Sequence, residues 1–144
     1  MRVTGARGRA ALALAVTIGV VALVAGPAAP ADNATSAGVV SVALSEWKLE
    51  PGQATIRGGR VSFVVRNDGT MAHEFVVLRS ERHHHMLKVK GGKAVEAGRL
   101  GRIPQIAAGE SKRLTLKVTP GKYVLLCNML GPYQAGQYAS LRVR

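Results

Sequence analysis

The chain has 144 residues, a formal charge of +12, 47% hydrophobic and 4% aromatic residues, and one cysteine. That length excludes more than one sizeable domain, a single cysteine excludes an internal disulfide, and the low aromatic content requires a core of Val, Leu, Ile and Ala. The basic balance points to acidic partners, while the lack of a basic stretch interleaved with aromatics argues against nucleic acid.

Residues 1–31 read as a signal peptide. Arg2, Arg7 and Arg9 form a positive start, residues 10–25 are apolar and uncharged, and Ala29, Pro30 and Ala31 give a small-residue cleavage site. No adjacent arginine pair and no cysteine at the cleavage site appear, so the expected route is Sec-type export to an extracytoplasmic location. Retention as an anchor is the alternative, and it is the only membrane contact expected. Residues 32–38 read as a disordered leader of the mature chain, and residues 39–144 as the folded domain.

Within that domain the pattern is of strands. Residues 39–44 (VVSVAL) form the first, and residues 45–51 follow with the only tryptophan, Trp47. A short strand at 54–56 ends at Gly58 and Gly59. Residues 61–65 alternate, Asn67, Asp68 and Gly69 signal a turn, and residues 73–78 form the next strand. Residues 80–106 read as a polar, glycine-rich excursion. Residues 113–118 alternate basic and apolar side chains. A Pro120-Gly121 turn leads into an apolar run at 123–126, a loop over 128–137 and a closing strand at 138–143. No amphipathic helix longer than two turns and no repeat is present. Many short strands between turn signals predict an all-β sandwich or barrel.

Cys127 closes the apolar run and faces a tight loop. Such a thiol is either a small buried hydrophobe or a metal-ligating thiolate. His73 follows a turn and opens an apolar strand, so it is the candidate imidazole to meet Cys127. The triplet His83, His84 and His85 is either a solvated loop or a separate surface site for Cu(II), Ni(II) or Zn(II). At roughly 3.3 Å per residue, the strand leaving His73 carries the chain about 20 Å before the triplet, which places it near the opposite pole unless the excursion folds back. No paired carboxylates and no Ser/His/Asp signature point to an enzyme.

The segment from Cys127 resembles the ligand loop of the small bacterial cupredoxins, Cys-Asn-x-Pro-Gly-His-Tyr-x-x-Gly-Met. It matches at Cys127, Asn128, Gly131, Tyr133 and Gly136. Pro132 stands where the family has its second histidine, and Gln137 where it has the axial methionine. Glu46 with Trp47, the run from Asn67 to His73 and Glu74, and the turn at Pro120, Gly121, Lys122 and Tyr123 resemble this branch too. The resemblance implies a Greek-key β-sandwich and a copper cofactor held by Cys127, His73 and Gln137. Glutamine serves as axial ligand in some such sites, whereas proline offers no donor. Met129, and Met71 beside it in candidacy, are either rim residues or thioether donors that favour Cu(I). The implied function is electron transfer or Cu(I) handling by a monomer with an acidic redox or copper-donor partner. The alternative is a fold that has lost its metal and serves as an interaction module.

Overall fold

The computed structural model describes residues 38–129 and 131–144; the segments expected to be a signal peptide (1–31) and a leader (32–38) lie, up to residue 37, outside the described residues. The order is β1 (Gly38–Ser45), β2 (Lys48–Pro51), β3 (Thr55–Ile56), β4 (Gly59–Asn67), β5 (His73–Arg79), β6 (Val89–Lys90), β7 (Lys93–Ala94), β8 (Arg99–Ile106), β9 (Ser111–Val118), β10 (Gly121–Leu126) and β11 (Tyr138–Val143). One sheet has the order β2-β1-β4-β9 and the other β3-β11-β10-β5-β8, with β6-β7 a separate hairpin. β1 pairs parallel to β4 and β11 parallel to β3; the remaining pairs are antiparallel. The expected all-β sandwich is present, with β1 starting one residue earlier than expected, at Gly38.

Period-two alternation builds the core. Val40, Val42 and Leu44 of β1 and Val61, Phe63 and Val65 of β4 face Phe75 and Val77 of β5, Tyr123 and Leu125 of β10, and Leu141 and Val143 of β11. The Phe63 and Phe75 rings meet at 5.7 Å between the sheets. Each such fully buried side chain contributes roughly 1.5–3 kcal/mol. Among the described residues, these side chains and the strand pairings form one continuous core within 38–144.

β5 is buried on both faces, because its outward residues Val76 and Leu78 form a second cluster with Val124, Leu126, Ala94 and Tyr133. That cluster exists because the excursion after β5 folds back over the outer face of the second sheet. The excursion also contains a strand that the sequence pattern conceals. β8 forms the sheet edge against β5, with register shifts between His73 and Phe75 and between Val77 and Leu78. Its apolar residues Leu100, Ile103 and Ile106 recur every three positions, and those irregularities convert that spacing into inward-facing positions. Pro104 is tolerated because the strand is an edge.

The strand ends define two poles. At one lie the β1–β2 turn, the β4–β5 turn, the β8–β9 turn and the long β10–β11 loop. At the other lie residues 56–60, 117–122 and 142–144.

Candidate metal centre

The β4–β5 turn is held by two side chains. Buried Asn67 donates through Nδ2 to the carbonyls of Met71 (2.7 Å) and Ile106 (2.9 Å), and its Oδ1 accepts from Gly69 N–H at 2.9 Å. Glu46, from the β1–β2 turn, accepts at Oε1 from the N–H groups of Thr70 (2.7 Å) and Met71 (3.0 Å). A Cβ at position 69 would lie 2.5 Å from that oxygen, so any side chain there would push the Glu46 carboxylate out of the clamp. Hydrogen bonds from backbone amides hold the Glu46 carboxyl down to about 2.

This clamp positions His73, which is 2% exposed, at the start of β5. Its Nε2 lies 3.7 Å from Glu46 Oε1, and its Nδ1 lies 3.9 Å from Cys127 Sγ. The thiol ends β10 and is fully buried. It accepts from Glu74 N–H at 3.3 Å and from the backbone N–H of Met129. Burial pushes the thiol up, and these two amides oppose the shift. The β10–β11 loop closes through Cys127 N–H to Gln137 O (3.1 Å) and Gln137 N–H to Pro132 O (2.9 Å).

Gln137, also fully buried, completes the group. Its Nε2 donates to Ser45 O at 2.7 Å and lies 3.4 Å from Lys48 O and 3.1 Å from His73 Nδ1. Two carbonyl acceptors identify this atom as the amide nitrogen. Of the ring nitrogens, Nδ1 faces this amide nitrogen, while Nε2 is buried with no hydrogen-bond partner, 3.7 Å from Glu46 Oε1. Gln137 Oε1 is left buried with no hydrogen-bond partner. The thiol, the imidazole and the Gln137 amide thus lie together in a buried space between the sheets, with the amide Nε2 and the thiol both against His73 Nδ1.

A family model for the cupredoxin-like domain matches residues 14–138. The chain belongs to the cupredoxin-like family. Cupredoxin relatives agree in fold. A crystal structure of reduced auracyanin from Roseiflexus castenholzii superposes with a TM-score of 0.58 at 16% identity, over 75% of this chain and 98% of that one. Rusticyanin from Thiobacillus ferrooxidans gives 0.56 at 17% identity, over 76% and 79%. Among curated proteins, the copper-resistant cuproprotein CopI of Rubrivivax gelatinosus is 28% identical over 119 residues, 80% of this chain and 72% of CopI. The iron uptake system component EfeO of Escherichia coli is 28% identical over 98 residues. Those residues are 68% of this chain but 22% of EfeO, so the chain spans about a fifth of that relative.

Of the residues expected at the cupredoxin site, the structure brings together His73, Cys127 and Gln137. The Met129 side chain is 37% and the Met71 side chain 49% exposed, so both thioethers lie at the rim. Pro132 is buried and contributes only its carbonyl, to Gln137. Among the described residues no three His, Cys, Asp or Glu side chains converge as a metal set. The donors present are one thiol and one imidazole, with a neutral amide whose Nε2 faces Nδ1 and would have to turn to offer its oxygen; the set suits a soft ion of low coordination number and does not supply the two imidazoles of a blue-copper centre.

The position expected for the histidine triplet, near the opposite pole, is corrected. His84 packs its ring 4.8 Å from Tyr138 and hydrogen-bonds Ser140 Oγ at 2.6 Å, beside the loop that follows Cys127. Tyr133 pulls the excursion back by donating to His84 O (2.9 Å) and accepting from Leu87 N–H (3.0 Å). Asn128 does the same by pairing with both backbone groups of Ala94. The triplet lies on the outer face of the sheet, whereas the thiol faces inward. Sequence reasoning missed two contributors to the site, the Glu46 clamp and the Ser45 carbonyl that fixes Gln137. The pairing of Glu46 with Trp47 in a resembling motif was the one signal for them.

Proposed function

We propose that this chain is an exported copper-binding protein that handles Cu(I) through Cys127, His73 and Gln137. The observation that carries the reading is the buried approach of Cys127 Sγ to His73 Nδ1 at 3.9 Å, with the Gln137 amide against the same ring nitrogen. Family membership and the name of the Rubrivivax gelatinosus relative support copper over other soft metals. Thiolate and few donors favour Cu(I) over Cu(II), which separates this site from an ordinary electron shuttle. Within it the chain's own residues have distinct tasks. Glu46 holds the turn that positions His73, the Glu74 and Met129 amides stabilise sulfur charge, and the sheets exclude water. A metal donor or acceptor with an acidic docking face suits the basic surface, and the protein acts as a binder, not an enzyme.

Pro132 favours a second reading, in which the fold binds no metal and serves as an interaction module. Titration of the purified protein with Cu(I) under anaerobic reducing conditions, and then with Cu(II), separates the two. The copper reading expects one equivalent of Cu(I), bound at least a hundredfold more weakly by Cys127→Ser. Failure to bind either valence at micromolar metal leaves the module.

A further inference from the structure

The pole opposite the candidate metal centre is predominantly basic. There Gly58 N–H donates to Arg144 O at 2.8 Å and Arg144 N–H to Ile56 O at 2.9 Å, so the ends of several strands are tied into one surface. Arg57, Lys117 and Arg144 line one concavity on it, and Lys122, Arg142 and Arg144 line the adjoining one. All five side chains are exposed. Arg60 stands directly across from Lys117 in the β4–β9 ladder, a like-charge pair that is unfavourable without a counter-ion. The ion pairs of Glu50, Asp68, Glu74, Glu96 and Glu110 are all made with bases elsewhere in the molecule. Among the described residues, Glu81, paired with Lys122, is the acid that reaches this pole.

A second observation comes from how the chain enters the domain. Gly38, the first residue of β1, pairs with Val61 and lines a recess with Arg57 and Arg60. The preceding 37 residues, which include the uncharged apolar run at 10–25, therefore join the domain at the basic pole. We propose that this pole is a docking surface for the anionic headgroups of a phospholipid membrane. Seated this way, the domain turns its metal pole away from the lipid and toward soluble partners. The inference is independent of whether copper binds. Attraction of clustered Lys and Arg to an anionic lipid surface is additive over the residues within about a Debye length. The apolar run at 10–25 joins this same pole until cleavage, and for as long as it is retained as an anchor, which selects lipid over a soluble polyanion as the occupant.

The test uses residues 38–144, which hold the core and both sheets formed among the described residues and lack the apolar run. Co-sedimentation is measured with vesicles of phosphatidylcholine alone and of phosphatidylcholine with phosphatidylglycerol. Binding is expected only with phosphatidylglycerol, weakening as sodium chloride rises. The triple variant Arg57→Glu, Lys117→Glu, Arg142→Glu is expected to bind about a hundredfold more weakly, from roughly fivefold per basic residue lost. Lys88→Glu, Lys90→Glu, Lys93→Glu changes net charge equally in and around the β6–β7 hairpin and is expected to keep binding. Circular dichroism confirms that both variants fold. Equal loss in the two variants, equal binding to neutral vesicles, or no binding to anionic vesicles overturns the proposal.

Discussion

His73 is constrained from both sides of its ring, and each side makes a prediction. On the Nε2 side the Glu46 carboxyl titrates near about 2, against an ordinary carboxylate value of 4.5. A carboxyl with a depressed folded value stabilises the fold fully above the ordinary value, and that contribution is lost as pH falls through about 2. Urea denaturation should therefore show the wild type losing stability between pH 4.5 and 2. Glu46→Gln should be less stable at pH 7 and show a smaller loss over that window. On the Nδ1 side, burial keeps the Cys127 thiol protonated at neutral pH. Copper must displace that proton, so affinity should tighten by up to about tenfold per pH unit between pH 6 and 8. Competition with a Cu(I) chelator checks this, and a flat profile would remove the thiolate from the ligand set. Pro132→His tests the loop itself. If the second imidazole is all that the site lacks, this variant with Cu(II) should show a strong visible thiolate-to-copper band that the wild type lacks.

At the scale of elements, the β1–β2 connection is the anomaly. Ser45 pairs with Lys48, so Glu46 and Trp47 form a two-residue turn, and Trp47 adopts φ 63° with its side chain 52% exposed. A bulky side chain in the left-handed region costs about 1–2 kcal/mol. Trp47→Gly should relieve most of that and, after the entropy of glycine in the unfolded chain, raise stability by about 0.5–1 kcal/mol. Chemical denaturation followed by circular dichroism measures it. A loss instead would show that the indole is held by contacts worth more than the strain. The central strands β1, β4, β5, β10 and β11 were legible because alternation or an apolar run marks each of them, and His73 and Cys127 were legible because each stands at the end of such a strand. β8 was not, since Gly101, Pro104 and a three-residue apolar spacing hide an edge strand that only the sheet's irregularities reconcile. The path of residues 80–98 was not legible either. A length argument assumes that the chain keeps its direction, and side-chain bonds from Asn128 and Tyr133 reverse it.

Over the whole molecule, the candidate metal centre is where the two sheets are tied at one pole. Cys127 and His73 belong to the β10–β5 pair of the second sheet, while Ser45 and Glu46 come from the β1–β2 turn of the first. Gln137 bridges them, reaching Ser45 O on one side and His73 on the other. An ion bound among these groups would favour the folded state alone, since the unfolded chain holds its thiol and its imidazole fifty-four positions apart. Ligand linkage then converts affinity into stability. At a free Cu(I) concentration a hundred times the dissociation constant the gain is about 2.7 kcal/mol, which for a domain of this size raises the melting temperature by about 10–20 °C. The shift should appear with Cu(I) under anaerobic conditions, vanish in Cys127→Ser, and shrink in Gln137→Leu, which keeps the thiol and imidazole but removes the bridge. If Gln137→Leu shifts as far as the wild type, the amide oxygen is not a ligand. If the wild type does not shift at all, the buried thiol and imidazole pack together without serving a metal.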